Sequence, residues 1–277
     1  MNSARAAISE GPGQTIFIIA VIIALVMMFY YLYQWLYKGG DLSDYILYVS
    51  ADSGLKASPT SMTNQTFTSG NVPGIYTGGE YSVSTWIYVQ KWTNTSNKVF
   101  LTLSGGTADN NTLVLYLGKS SPKLGVRLSY TNSTSNSAYY PAVASITGSN
   151  TPSVVGTEFA DSANNKCDVD EVSLQKWVNV TVVLSGRTTD VYIDGKLVRS
   201  CVNDSVYLVS GSTPTVTLGN INNGFTGLIG KTRVANFAYS PDVVYKNYLS
   251  GPYDTSLLSL MWNYINPASY SVSIHKN

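Results

Sequence analysis

A long hydrophobic segment near the N-terminus limits what this chain can fold into. Residues 16–33 read IFIIAVIIALVMMFYYLY, and no charged residue interrupts residues 11–37. About 20 apolar residues, each rising about 1.5 Å, cover the roughly 30 Å hydrocarbon core of a bilayer. Tyr and Trp crowd the C-terminal end of the segment, which is typical of an interfacial aromatic belt. The sequence therefore predicts a transmembrane helix over residues 14–38, after an N-terminal tail at residues 1–13.

The side chains expected to form this membrane anchor are large and apolar or aromatic. They are Ile16, Phe17, Ile22, Leu25, Phe29, Tyr33 and Trp35. A buried core helix would need an apolar partner helix, and none follows in the sequence. A cleaved signal peptide has a shorter apolar region and a small-residue cleavage site, which the bulky aromatic end does not supply. Lys and Arg scarcely separate the two flanks, so the orientation in the membrane stays open.

The composition of the chain excludes several classes of function. Charged residues make up 12% of the 277 residues and the net charge is +1, so no basic field exists to hold a nucleic acid. One His and two Cys exclude multi-His zinc sites, zinc fingers and iron–sulfur clusters. The lone His275 lies two residues from the C-terminus, a poor position for a Ser–His–Asp or Cys–His site.

Residues 39–277 read as one domain of short strands separated by Gly, Asn, Ser and Pro clusters. The Asp194-Gly195 pair between two β runs predicts a tight hairpin turn. Ser240 before Pro241 predicts a short helix that stops at Gly251. Strands at this spacing, with one brief helix, indicate a mainly β, two-sheet antiparallel sandwich. The predicted strands cover residues 81–89, 113–117, 124–130, 177–184, 191–198 and 216–218, with one or two more within 225–237.

Three motifs follow the anchor in a fixed order. They are YSVSTWIYV, then WVNVTVVLSGRTTDVYIDGKLV, then LGN followed by GFTGLIGKTRVANFAYSPDVV. Each contains a small set of residues that define the pattern: a Trp within the first strand, a Trp-led strand with a Y-x-D-G turn, and an F-x-G-x-I strand. These fold-defining residues are Trp86, Trp177, Asp194, Gly195, Phe225 and Gly227.

In this order and spacing the three motifs resemble the laminin-G-like domains of the concanavalin A-like lectin/glucanase superfamily. The resemblance spans residues 81–249 and implies a jelly roll of two curved sheets, in which Trp86 faces inward. In different members of this superfamily the concave sheet binds carbohydrate, binds protein or holds hydrolase carboxylates. The resemblance therefore predicts the fold and leaves the function to individual residues.

The sequence offers few candidates for catalytic or metal-binding residues. A hydrolase of this superfamily needs two carboxylates about 5–5.5 Å apart on an E-x-D-x-x-E-like strand. No Glu starts such a pattern, and the nearest run, Asp168, Asp170 and Glu171, reads as a polar loop. We therefore expect no catalytic residue. Asp161, Asp168 and Asp170 are weak candidates for a Ca²⁺ site, and no other cofactor is expected.

Two further sets of residues are candidates for structure or binding. Cys167 and Cys201 flank the strand that starts at Trp177, so they either form a disulfide or remain two separate buried thiols. Several aromatic residues fall in or near predicted loops, where they either stack on sugar rings or pack against protein. These are Trp92, Tyr139, Tyr140 and Tyr207.

The sequence favours a non-enzymatic, membrane-anchored structural protein whose sandwich docks onto neighbouring proteins. Low charge, abundant Tyr and polar uncharged loops suit a surface that is buried in an assembly. The architecture resembles that of membrane-linked minor capsid proteins of large icosahedral DNA viruses. That resemblance implies a lipid bilayer and a major capsid protein as partners, at the interface of an internal virion membrane and the capsid. The alternatives are a carbohydrate-binding or adhesion module on a cell-surface or lumenal membrane and, less favoured, a glycoside hydrolase.

Overall fold

The computed structural model describes most of the chain in ten segments. These are residues 12–37, 44–47, 60–61, 65–68, 70–93, 95–107, 109–132, 135–147, 167–220 and 223–252. The chain divides into two units, Met1–Leu42 and Ser43–Asn277, which are considered separately. The predicted Ca²⁺ ligand Asp161 lies outside the described residues.

The first unit contains one helix, α1 (Pro12–Tyr37). Its side chains are described from residue 17 to residue 32, and all of them are exposed. Among the expected anchor residues, Phe17, Ile22, Leu25 and Phe29 expose between 45% and 68% of their surface. Ile16, Tyr33 and Trp35 lie within the backbone bounds of α1. Within the described residues, no helix has both the length and the apolar character that crossing a bilayer requires.

The second unit is built from antiparallel strands and two short helices. In chain order these elements are β1 (Asp44–Leu47), β2 (Thr60–Ser61), β3 (Gln65–Phe67), β4 (Glu80–Lys91), β5 (Lys98–Ser104), β6 (Asn111–Leu117), β7 (Leu124–Leu128), β8 (Tyr130–Thr131), β9 (Ala138–Tyr139), α2 (Val143–Thr147), β10 (Trp177–Ser185), β11 (Thr188–Ile193), β12 (Lys196–Val202), β13 (Thr215–Leu218), β14 (Thr226–Ala235) and α3 (Pro241–Leu249).

The strands form two sheets that pack face to face. The first sheet has the order β1-β14-β4-β10-β11-β12, with β2 also paired to β14. The second sheet has the order β3-β13-β5-β6-β7, and β8 pairs with β9 in a small hairpin. β12 and β7 are thus the last strands of their sheets in the described part of the chain. The expected two-sheet antiparallel sandwich is confirmed.

The core lies between the sheets and follows the two-residue period of the strands. On the first sheet, Val180 and Val182 of β10 point inward and are fully buried. On the second sheet, Leu113 and Leu115 of β6 face them and are equally buried. Burying a side chain of this size contributes about 1.5–3 kcal/mol. This interior set of Val and Leu side chains is what holds the two layers together.

The resemblance implied that Trp86 points into the core, but in the structure it points the other way. Val83 and Ile87 of the same strand enter the core between the sheets, so Trp86 lies on the opposite face of β4. It is 6% exposed because the ring of Tyr248, on α3, stacks over it at 5.6 Å. Trp86 therefore belongs to the contact between the first sheet and α3.

The helix α3 covers this outer face of the first sheet. The Ser240 Oγ accepts a hydrogen bond from the Val243 N–H, and Pro241 occupies the first turn, as the sequence predicts. Val244 is buried against Tyr192 of β11 and Tyr239. The predicted short helix is confirmed, and it gives the first sheet a second, smaller apolar layer.

The turn between β11 and β12 is the predicted Asp194-Gly195 hairpin. Both residues have positive φ, 50° and 74°, as a two-residue turn of this hand requires. The Asp194 Oδ1 accepts a hydrogen bond from the Asn179 N–H at 2.9 Å, and the Asp194 N–H donates to the backbone carbonyl oxygen of Asn179 at 2.9 Å. These two bonds tie the hairpin to β10.

The outer face of the second sheet is also covered. Val143 and Ile146 of α2 pack against Val114 and Tyr116 of β6. Gly125 of β7 lies under the Tyr116 ring, where a Cβ would come within 2.3 Å of the ring Cζ. Residues 143–147, which form α2, thus supply part of the cover for this sheet.

Candidate functional site

One side of the sandwich is closed by a disulfide between the edges of its two sheets. Cys201 lies on β12, the last strand of the first sheet. Cys167 precedes Val169, which exchanges two backbone hydrogen bonds of 2.9 and 3.0 Å with Leu124 of β7. The Cys167 and Cys201 sulfur atoms are bonded, their Cα atoms are 5.8 Å apart, and both residues are buried. Of the two readings that the sequence left open, the structure therefore has the disulfide.

A buried ion pair lies beside the disulfide. The Arg127 Nη2 donates to the Asp168 Oδ2 at 3.1 Å, and the Val126 N–H donates to the Asp168 Oδ1 at 3.0 Å. The Arg127 guanidinium also lies 5.3 Å from the ring centre of Tyr116. The side chains of Arg127 and Asp168 are only 3% and 12% exposed. Burial raises the pKa of the Asp168 carboxyl, while the bonds and charge of Arg127 oppose that rise.

This pairing separates the carboxylates that the sequence grouped as candidates for calcium or hydrolysis. Asp168 is bound to Arg127, whereas the Asp170 carboxylate is 88% exposed and pairs with the Lys123 Nζ at 3.2 Å. No three His, Cys, Asp or Glu side chains within the described segments are arranged to hold a metal ion. Asp168 and Asp170 thus have different partners and different exposure.

A small pocket lies between the end of β7 and the loop that follows β12. The Ser129 Oγ donates to the Leu208 oxygen at 2.6 Å and accepts from the Leu208 N–H at 2.8 Å, which holds the loop against the second sheet. The Tyr130 ring lies 4.8 Å from the Tyr139 ring at the pocket's border. The pocket lining is Leu128, Ser129, Tyr130, Asn203, Asp204, Ser205 and Tyr207.

The four aromatic residues expected near loops divide into buried and half-buried sets. Tyr207 is 3% exposed, and its hydroxyl has no hydrogen-bond partner among the described residues. Burial, with a smaller effect from the Glu80 charge, raises the pKa of Tyr207 to about 12. Trp92 is half-buried under the Lys98 ammonium at 4.1 Å. Tyr139 and Tyr140 are half-buried, so these two remain the accessible aromatic candidates.

The edge strand β12 presents apolar side chains to solvent. Leu197, Val198 and Val202 expose 54%, 45% and 61% of their surface. Beside this strand, α3 exposes Tyr245 and Leu249 by 47% and 64%. Sequence reasoning predicted strand structure here but missed the edge position. The signal was present, because both faces of KLVRSCV mix apolar and charged residues, as edge strands do.

The family of the chain follows from a sequence comparison. A family model described as the concanavalin A-like lectin/glucanases superfamily, of the laminin-G type, matches residues 51–244. This match covers more than half of the chain, so the protein belongs to this superfamily. Comparison with curated protein sequences finds no match.

Solved structures of related fold include two toxin domains and an enzyme. The botulinum neurotoxin serotype D binding domain is 14% identical, with a TM-score of 0.42 over 75% of this chain and 43% of that chain. The binding domain of botulinum neurotoxin DC, in complex with rat synaptotagmin II, is 16% identical, with a TM-score of 0.37 over 62% and 36%. A Trypanosoma rangeli sialidase is 11% identical, with a TM-score of 0.39 over 62% and 23%. This chain spans less than half of each, and the likeness concerns the fold alone.

We expect that denatured, unreduced protein contains no free thiol. A Cys201→Ser variant should lose roughly 3–4 kcal/mol of unfolding free energy, because the bond closes a long loop. Thiol titration and denaturant unfolding measure the two effects. As a control, a reductant should lower the stability of the wild type to that of the variant and leave the variant unchanged. Two free thiols per chain would contradict the disulfide.

Loss of the buried ion pair should be far more costly than loss of its exposed neighbour. Asp168→Asn leaves the Arg127 guanidinium buried without its counter-charge, so the unfolding free energy should fall by about 3–5 kcal/mol. The matched control, Asp170→Asn, removes an exposed pair and should cost less than about 1 kcal/mol. Urea unfolding of both variants measures these losses of unfolding free energy. Equal losses would show that the buried Arg127–Asp168 pair is no more important for stability than the exposed one.

Proposed function

We propose that this protein is a non-enzymatic, membrane-anchored structural protein whose sandwich docks onto neighbouring proteins. The observation that supports docking most directly is the exposed apolar edge formed by Leu197, Val198 and Val202 of β12. An edge strand offers unpaired backbone groups as well as side chains, and both favour contact with another chain. The exposed Tyr245 and Leu249 of α3 extend the apolar surface beside it.

The non-catalytic part of the proposal is supported by the state of the acidic residues. A retaining glycosidase needs one carboxylate as nucleophile and a second as acid and base, about 5–5.5 Å apart. Asp168 instead binds the Arg127 guanidinium, and Asp170 lies exposed beside Lys123. A carboxylate held by a buried guanidinium is poorly placed to attack a sugar or to move a proton.

The membrane anchor is supported by the sequence of residues 11–37 and by the side chains of α1. The helix has 26 residues, which corresponds to about 39 Å. Its described side chains, residues 17–32, are all apolar or aromatic, and all are exposed. Such a surface is unfavourable in water and favourable in lipid.

A narrower form of the proposal is a minor capsid protein at the interface of an internal virion membrane and the shell. Its partners would be the lipid bilayer and a major capsid protein. The support is architectural, since a short anchor joined to a β-sandwich suits a link between membrane and shell. Absence of the protein from purified particles would remove this form and leave a cell-surface or lumenal membrane as the location.

The full-length protein should stay with membranes in high salt and require detergent for release. Replacing Ile22 and Leu25 by Lys should move it to the soluble fraction, because each charge near a helix centre costs about 2.5–3.5 kcal/mol of insertion free energy. The control variant carries the same two charges at exposed positions of the sandwich, Gln90→Lys and Ser120→Lys. Fractionation with immunoblotting is the measurement. A wild-type protein that is soluble without detergent would refute the anchor.

Carbohydrate binding is the second candidate function. It is favoured by the pocket beside the Tyr130 and Tyr139 rings, where Asn203 and Asp204 supply hydrogen-bonding groups next to aromatic surface. Sugar rings bind to this combination of stacking surface and polar side chains. In this alternative the protein is a lectin-like adhesion module displayed on a membrane.

A glycan array distinguishes the two functions. If the pocket binds sugar, the full-length protein in detergent should bind a defined set of glycans. Tyr139→Ala should then abolish that binding, because one of the two neighbouring rings at the pocket is lost. Tyr76→Ala, which removes a tyrosine that is 74% exposed and does not line the pocket, is the matched control. If no glycan is bound, the lectin alternative is wrong and protein docking is favoured.

A further inference from the structure

We infer that the sandwich folds in an oxidising compartment outside the cytosol and carries an N-linked glycan on Asn110. The inference goes beyond the proposed docking function, because it assigns a covalent modification and the compartment in which it takes place. Two independent observations carry it, the Cys167–Cys201 disulfide and the surroundings of Asn110. Where α1 spans a bilayer, as proposed, the inference also gives the orientation that Lys and Arg leave open.

The disulfide indicates the compartment. Cys167 and Cys201 are the two Cys of the chain, and they are bonded to each other. They lie 34 positions apart and meet where the edges of the two sheets come together, so the bond belongs to the native fold. Glutathione and thioredoxin keep cytosolic thiols reduced, whereas disulfides form and persist in the lumen of the secretory pathway and outside the cell. The sandwich therefore forms where an oxidant is available.

Acceptor triplets for N-glycosylation, Asn-x-Ser/Thr, occur at six places in the chain. They start at Asn64, Asn94, Asn110, Asn132, Asn179 and Asn203. Three of these triplets lie wholly within the described segments, at residues 110–112, 179–181 and 203–205. A chain rich in Ser, Thr and Asn contains such triplets by chance. The surroundings of each Asn amide therefore decide which of the three can carry a glycan in the folded protein.

The Asn179 amide is part of the packed interior. Asn179 lies on β10 and is fully buried. Its Nδ2 donates to the Ser84 Oγ at 3.1 Å, and its Oδ1 accepts from the Thr181 Oγ1 at 2.9 Å. A sugar on this nitrogen would need space that the neighbouring strands occupy. The folded sandwich therefore cannot carry a glycan on Asn179.

The Asn203 amide is directed at the sheet. Its Nδ2 donates to the Thr189 Oγ1 at 2.8 Å, and Thr189 is fully buried. The backbone is held as well, because the Asn203 N–H donates to the Arg187 oxygen at 2.8 Å and the Arg187 Nε donates to the Asn203 oxygen at 3.0 Å. A glycan on Asn203 would compete with these contacts, so this triplet is a poor acceptor.

Asn110 is the best acceptor of the three. It lies in the turn between β5 and β6 and is half-buried. Its Nδ2 donates to the Ser210 Oγ at 3.3 Å, which is longer than the usual range for this kind of bond. Ser210 is itself half-buried, so water can take its place. A glycan on Asn110 therefore requires the loss of one weak bond and no change in the core.

The modification transfers an oligosaccharide from a polyprenyl pyrophosphate to the amide. The Asn110 Nδ2 forms a bond to C1 of the first sugar and loses one proton. The bond between C1 and the pyrophosphate oxygen breaks, and the lipid pyrophosphate leaves with the electron pair. Transfer to the chain before it folds also leaves the Thr112 hydroxyl accessible, which in the folded protein is buried and donates to the Leu208 oxygen at 3.1 Å.

The test of the site is expression of the full-length chain in animal cells, followed by purification in detergent. An amidase that releases N-glycans converts each modified Asn to Asp, and in isotopically heavy water the converted residues are identified by mass spectrometry. Asn110 should be converted, and Asn179 should remain Asn. Asn110→Gln should abolish modification at that position. The matched control, Asn71→Gln, changes an exposed Asn outside any acceptor triplet and should leave the modification of Asn110 unchanged.

The compartment is tested separately, on sealed vesicles of the endoplasmic reticulum from the same cells. Lys91 and Lys196 are exposed on the sandwich. An amine reagent that does not cross membranes should label them only after detergent has opened the vesicles. The Asn110→Gln variant should give the same result, because the position of the sandwich does not depend on its glycan.

Two results would overturn the inference. Wild-type protein without a glycan on Asn110 would remove the modification site, and labelling of Lys91 and Lys196 in intact vesicles would place the sandwich in the cytosol. The proposed anchor fails separately. Release of the glycosylated protein from opened vesicles by high salt without detergent would remove the anchor and leave the glycan and its compartment in place.

Discussion

The closure between β7 and β12 is the constraint on which the surfaces of this sandwich depend. Two sheets packed face to face leave their core accessible at the sides. Here the Cys167–Cys201 disulfide joins the two edges, and the Arg127–Asp168 ion pair lies beside it. A buried ion pair offsets the cost of desolvating its charges only where its geometry is good. Removing either partner leaves an uncompensated buried charge. This closure keeps the Asp168 carboxylate largely out of contact with solvent and holds β12 at the edge of the first sheet.

The regular parts of the fold could be predicted because one physical signal determined each of them. The alternation through Val180 and Val182 appears in β10, and the Asp194-Gly195 pair forms the hairpin turn between β11 and β12. Ser240 caps its helix because its hydroxyl meets an amide of the first turn. In each case the deciding interaction lies within a few residues of the pattern that predicts it.

The parts that sequence reasoning missed depend on distant residues. Trp86 was expected to point inward, but both faces of β4 are buried, so alternation alone does not tell which face meets the opposite sheet. The pairing of Arg127 with Asp168 joins residues 41 positions apart and depends on how two sheet edges meet. The exposure of Val198 depends on β12 being last in its sheet. The orientation of Trp86 and the Arg127–Asp168 pair leave no local pattern, whereas the mixed faces of β12 do indicate an edge strand.

Both sulfur atoms of the disulfide belong to residues that are almost completely buried, at 2% for Cys167 and 8% for Cys201. A reducing agent can reach the bond only when the two layers separate locally, because thiol–disulfide exchange needs direct access to a sulfur atom. Once formed, the bond is therefore shielded by the fold that it helps to hold. Oxidation of the two thiols needs the same opening of the layers as reduction of the bond, and once formed the bond tolerates surroundings in which an exposed bond of the same kind would be lost.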